Sequence, residues 1–315
     1  MGIYESLTAI QNADRRRMVD WQAAADAAVA STPRGSLGLD LETEESYRTA
    51  VIEARDAVSA TVGIEIDLPE TIEIVDRHHW IEQAATSFGR MLDPVMATQQ
   101  GPDLARYVNT GSAAFTLAVL GRRVVGQYEP ALFGDVEEMA LYVVHPNVQH
   151  VATELAVDEE MFRQWILHHE VTHAAEFDLA PWLKPHLETQ LSAVLSSLAS
   201  GRFDHQGIAA LTRTMTVIEG FAELLMDASI EADVTTLRDR LEAKRAGLGP
   251  IQQLVDWLLG ITAKREQYAK GREFFLTIEQ NRGITATLEV WDAPENLPTQ
   301  QELRDPMRWI ERVDP

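Results

Sequence analysis

Apolar positions along this chain recur mostly three and four residues apart, the spacing of a helix that buries one face. Residues 1 to about 32 follow that period, through Trp21 and an alanine-rich stretch, and stop at Ser31-Thr32-Pro33-Arg34-Gly35. Glu42 to Val62 reads as a second helix, with Tyr47, Val51 and Ile52 in its apolar stripe. From Gly63 to Ile74 the pattern changes to alternation with β-branched residues, in Ile64-Glu65-Ile66 and Thr71-Ile72-Glu73-Ile74, broken by Pro69. A helix is predicted after Asp76-Arg77-His78-His79-Trp80, reaching about Met96. The apolar, small-residue stretch Gly111 to Val125 fits a core helix, and Gly126 to Pro130 reads as a turn. Met139 to Val144 is a short β-prone run ended by His145-Pro146-Asn147.

Helical periodicity then takes over. Asp158 to Leu179 contains no proline or glycine, and further helices are predicted over Leu187 to Ser200, Gly207 to Ser229, Val234 to Ala246, and Ile251 to about Ile278. The tail from Leu288 to Pro315 is rich in proline and tryptophan and reads as an ordered coat. The fold class expected is α+β, predominantly helical, with a small sheet beside the helix at Asp158. No internal repeat or low-complexity linker interrupts it. A helical N-terminal portion, residues 1–66, is expected before a main domain over residues 67–315, or the two form one continuous domain.

Composition narrows the possible functions. The 315 residues are 45% hydrophobic and 24% charged, ordinary for a globular protein able to bury a sizeable core. No apolar run approaches the roughly 20 residues that cross a bilayer, and Arg15-Arg16-Arg17 follows a polar stretch with no apolar run after it, unlike a secretory leader. A cytoplasmic location without membrane contact is therefore expected. The net charge of −22 opposes a nucleic-acid partner. With no cysteine in the chain, disulfides, thiolate metal sites and cysteine nucleophiles are excluded. Any metal must be held by His, Asp and Glu, which suits a catalytic site better than a structural zinc site.

The predicted helix at Asp158 carries His169-Glu170-Val171-Thr172-His173. Residues four apart on a helix share a face, so both imidazoles can reach one metal ion, while Glu170 can address a water beside it. Asp158 is placed as the N-cap, and Glu159 and Glu160 put negative charge in the first turn, where the helix dipole favours it. Phe162, Trp165 and Ile166 precede the histidines along one stripe. The plain alternative is a buried amphipathic helix whose histidines hydrogen-bond within a core. His168 is offset by about 100° from His169 and is expected to be structural or exposed.

Two histidines leave a catalytic zinc one protein ligand short. A third histidine six residues after His173 is excluded, because Leu179 stands there and Glu176 replaces the glycine that arrangement needs. The other common solution is a glutamate from a later helix. Thr216 to Met226 is almost wholly apolar apart from Glu219 and Glu223, four apart on one face. A carboxylate in such a helix is costly unless paired or metal-bound. Glu219 is the expected third ligand, and Glu223 a candidate partner for the far nitrogen of a ligand histidine. The rival reading pairs these glutamates with arginines such as Arg213 or Arg272. His186, Glu188 and His205 are weaker candidates in polar, turn-rich settings. Glu176, three residues past His173, can line the site or serve as a salt-bridge partner on the last turn.

With both halves in hand, the chain resembles the type 2 zincin-like metallopeptidases, a family often described as hydrolases or associated with deazaflavin coenzyme biosynthesis. The resemblance rests on Gly126 to Phe133, on His169 to His173 with Phe177, on Pro181-Trp182-Leu183 and on Glu219-Gly220-Phe221-Ala222-Glu223. It continues through Lys264 to Gly271, with Gln267-Tyr268, and the tail segments Val290 to Pro298 and Trp309 to Val313. It implies a zincin-like α+β fold with His169, His173 and Glu219 at a zinc ion. The family pattern leads one to expect glutamine where Glu176 stands. The chemistry expected is hydrolysis of an amide bond in a peptide or small amide substrate. Glu170 would act as general base, with Tyr268 or Tyr128 as candidate oxyanion donor. Two alternatives are a non-catalytic scaffold with a structural or vestigial metal site, and a di-iron carboxylate bundle. The bundle wants a second Glu-x-x-His, of which Asp76-Arg77-His78-His79 is the nearest imitation.

Overall fold

In the computed structural model, which describes residues 2–14, 17–96, 103–135, 138–230, 235–237, 240 and 265–313, helices dominate and one small sheet is present. Helices α1 (Gly2–Gln11), α2 (Trp21–Ser31) and α3 (Leu41–Val62) precede strand β1 (Thr71–Val75), then α4 (Arg77–Met96) and α5 (Asp103–Gly121). Strands β2 (Gly126–Glu129) and β3 (Ala140–Val144) lead into α6 (His145–Leu155), α7 (Glu159–Leu179), α8 (Leu183–Ala199) and α9 (His205–Ser229). The last elements are α10 (Arg265–Arg282), a 3-10 helix at Ile284–Trp291 and α11 (Pro306–Val313). Of the helix predicted over Val234 to Ala246, residues 235–237 and 240 are described and are helical; the rest of it, and the start of the one predicted from Ile251, lie outside the described residues. Among the described residues, no helix is long and apolar enough to cross a membrane.

The chain divides into two compact units that interleave in sequence. The first comprises Met1–Gly38, Glu70–Thr153 and Ser192–Asp204, the second Leu39–Pro69, Glu154–Leu191 and His205–Pro315. In the first unit, Asp20 caps α2 by accepting the Ala23 amide at 3.0 Å. Ala23, Ala24, Ala25, Ala27 and Ala28 are buried there, and their small side chains let α1, α4 and α5 pack against α2. Central β3 pairs parallel with β1, in register from Thr71 opposite Ala140 to Val75 opposite Val144, and antiparallel with β2. The turn expected over Gly126 to Pro130 is thus largely strand: edge pairing with β3, a tertiary event, extends Gly126–Glu129. Conversely, Ile64 to Ile66 forms no strand. Gly63 ends α3 in the left-handed region at φ 74°, and the Ile66 amide donates to Ser59 Oγ at 3.1 Å instead of joining a ladder. Buried Asn147 fastens the strand-to-helix junction, donating to the carbonyls of Gly121 (3.0 Å) and Val124 (2.7 Å) and accepting from Arg77 at 2.6 Å.

The second unit packs α7 against α3 and α9, and lays α10 along α9. The α9–α10 crossing is glycine on glycine: a Cβ on Gly220 would lie 2.6 Å from the Cα of Gly271. Close approach brings Phe221 within 5.2 Å of both Phe275 and Trp291, centroid to centroid, while Phe274 meets Trp309 at 5.5 Å. The tryptophans are tied by their indole N–H groups. Trp182 donates to the Trp291 carbonyl at 2.7 Å and Trp309 to the Asn296 carbonyl at 2.6 Å. The tail is therefore an ordered coat, and burial of its large rings gives the apolar stabilisation that a polar tail would lack.

Candidate metal centre

Helix α7 starts where the sequence placed it, with the Asp158 carboxylate accepting the Met161 amide at 2.9 Å. Phe162, Ile166 and Leu167 are buried along its inner face. Arg163, also buried, donates to Ser46 Oγ at 2.7 Å and lies 4.7 Å over the Tyr47 ring, pinning α7 on α3. Burial holds the Tyr47 hydroxyl well above its ordinary pKa, and Arg163 offsets part of that effect.

One turn of this helix presents the two histidines together. Their Nε2 atoms are 3.2 Å apart and the rings meet edge to face, centroids 4.6 Å apart. Glu219 reaches them from α9: one nitrogen from each histidine and one Glu219 carboxylate oxygen lie within 4.8 Å of one another. The three residues chosen from the sequence as metal ligands are thus brought together, and among the described residues no other group of this kind is found. Two nitrogens bound to one tetrahedral zinc at their usual bond lengths would sit roughly 3.3 Å apart, so the spacing and the N,N,O donor set fit zinc. Phe162 and Trp165 stack nearly parallel, and Trp165 in turn stacks on His169 with 3° between planes and centroids 6.1 Å apart. This column supports the His169 ring, a role the apolar stripe alone did not reveal.

The far side of His173 is held by Glu176, whose Oε2 is 2.8 Å from His173 Nδ1. Glu176 has no exposed surface. Burial alone would lower the His173 pKa, but the Glu176 hydrogen bond and the charges of Glu176, Glu219 and Glu170 outweigh it and raise it to about 10. Burial pushes the Glu176 carboxyl up to about 8, against the pull of His173. The carboxylate on the outer nitrogen of His173 is therefore Glu176 and not Glu223, which sits half-buried one turn past Glu219. The signal was in the sequence, because three residues separate Glu176 from His173 and such pairs meet on a helix. Glu170 is buried at 6% exposure and near enough for its charge to act on His173.

Other sequence candidates lie elsewhere. Half-buried His168 is outside the donor group, and burial holds its pKa below the ordinary value. His186 contacts Gln190 at 2.9 Å, and neither it, Glu188 nor His205 joins the donor group. Arg272, one of the two arginines named as rival partners for the α9 glutamates, binds Asp227 through two bonds of 2.9 and 2.6 Å. Tyr128 sits on β2 with its hydroxyl 3.4 Å from the Met139 sulfur. Tyr268 lies on α10, with its side chain outside the described residues. Asp76 caps α4 through the His78 and His79 amides, at 2.9 and 3.0 Å, and pairs with Arg34 at 2.7 Å, which accounts for its place in the sequence without a second metal.

The chain is similar, at 26% identity and a TM-score of 0.76 over 94% of its own length and 99% of the other, to a protein from Chloroflexus aurantiacus whose crystal structure is described as that of a "putative hydrolase with a novel fold". No curated protein matches the chain. The model of the zincin-like metallopeptidase family matches residues 19–208 and 198–310. Together these segments span most of the sequence, and the chain belongs to the zincin-like metallopeptidase family.

Proposed function

We propose that this protein is a zinc-dependent hydrolase of amide bonds, acting on a peptide or small amide substrate. The observation that carries the proposal is the group of one ring nitrogen each from His169 and His173 and a Glu219 oxygen, with Glu170 next to His169 on the same helical turn. His169, His173 and Glu219 would hold the ion, and zinc bound there supplies a Lewis acid that activates water and polarises a carbonyl. Glu170 takes a proton from the attacking water and delivers it to the leaving nitrogen. The water oxygen becomes part of the new carboxyl group, the C–N bond breaks, and the amine departs protonated by Glu170. Tyr268 is the proposed donor to the oxyanion formed on the carbonyl oxygen.

Burial of Glu170 at 6% exposure favours the second reading, a non-catalytic scaffold with a structural metal site. Metal content and turnover on a peptide library, measured for the parent, His169→Ala and Glu170→Gln, separate the two readings. The hydrolase reading expects about one zinc per chain in the parent and in Glu170→Gln, none in His169→Ala, and turnover reduced by at least about 100-fold in both variants. Undiminished turnover in Glu170→Gln would remove Glu170 from the mechanism. A parent that binds zinc but cleaves nothing would favour the scaffold.

A further inference from the structure

The mechanism above leaves Glu176 without a task, yet this side chain is held in a costly setting. It is fully buried, one oxygen rests 2.8 Å from His173 Nδ1, and the other, Oε1, is buried with no hydrogen-bond partner. Among the described residues its ion-pair partner is His173, with neither lysine nor arginine beside it. A buried carboxylate with half of its acceptor capacity unmet is destabilising unless positive charge lies close by. His173 turns its other nitrogen, Nε2, toward His169 and Glu219. A cation held there would face Glu176 across a single imidazole ring.

We infer that Glu176 is a positioning residue for the metal: it fixes His173 with Nδ1 as donor and Nε2 as lone pair, and supplies a buried negative charge that a divalent cation satisfies through the ring. The inference rests on the metal reading proposed above. Its physical basis is general, since a carboxylate on the outer nitrogen of a metal-binding histidine sets the tautomer and raises ligand basicity. Two contributions are separable by substitution. Glutamine keeps an acceptor for Nδ1–H and removes the charge, whereas alanine removes both.

The experiment is zinc affinity by chelator competition for the parent, Glu176→Gln and Glu176→Ala, with thermal melting recorded with and without zinc. The expected order is parent, then Gln weaker by about 10-fold, then Ala weaker by about 100-fold, and the zinc-induced rise in melting temperature shrinks in the same order. Parent-like affinity in both variants would overturn the assignment while leaving the zinc site standing. Equal losses in Gln and Ala would overturn it too, because the retained acceptor would then count for nothing. If alanine prevents folding, the glutamine variant decides, an unchanged affinity there ruling the charge out. A parent that binds no zinc removes the metal reading and this inference together.

Discussion

Helices α7 and α9 contribute to the same donor group by different means. On α7 the two nitrogens come from one turn of one helix, so their 3.2 Å separation follows once that turn is helical. The helix is specified locally, by its Asp158 cap and first-turn acids, and is fastened through Arg163 to Ser46 and Tyr47. On α9 the single carboxylate of Glu219 has no such local guarantee. Its position depends on how closely α9 meets α10, where Gly220 stacks on Gly271 and Arg272 grips Asp227. A ligand pair of local origin should survive damage that displaces a ligand of tertiary origin.

The strongest way to break that comparison is Gly220→Val. The new side chain would be driven into the backbone of Gly271, and backbone cannot move aside as a side-chain tip can. A loss of about 3 kcal/mol is expected, read from urea unfolding, together with zinc affinity falling as Glu219 shifts. Retained zinc affinity in a folded Gly220→Val protein would mean that the crossing does not position Glu219. A smaller effect, with the opposite pattern, is expected at the start of α7. Asp158→Ala removes one cap bond and should cost about 1 kcal/mol, while leaving one zinc per chain, since the histidines lie three turns away. Loss of metal in that variant would show that α7 is less autonomous than its cap implies.

The smallest effect expected is one of pH, in the C-terminal tail. Burial alone would raise the Glu302 pKa, but the Arg312 hydrogen bonds and those from Thr299 lower it below 4.5. A carboxyl depressed in the folded state contributes stability that is present above its unfolded value and lost as pH falls through the folded one. The difference in urea midpoint between the parent and Glu302→Gln should therefore be full at neutral pH and shrink as pH drops below about 4.5. A gap that persists at low pH would point to packing and not to the Arg312 pair at 2.6 Å.

Much of the centre was legible before any fold was known, because its parts obey short-range rules. The spacing of His169 and His173 is helical, and two carboxylates in an apolar helix ask for a partner, which singled out Glu219. The support for each histidine was harder to read. Trp165 looked like one more apolar position until its ring was seen parallel to His169, and Glu176, read as lining the site or as a salt-bridge partner on the last turn, proved to have no exposed surface and to face His173. The strand at Gly126–Glu129 was missed for a similar reason. Nothing within those four residues demands extension, and pairing with β3 supplies it.

By itself, then, the sequence determined where α7 begins and ends, that any metal must be held by nitrogen and oxygen, and which residue types could hold it. Helical period, capping and the lack of cysteine act within a few residues or on composition alone. Tertiary structure decided whether Glu219 reaches the histidines, which carboxylate stands behind His173, and how the two units interleave along the chain. Those outcomes depend on close approach between segments distant in sequence, as at Gly220 and Gly271, and on burial, which turns the same carboxylate from a solvated charge into a group that needs a partner.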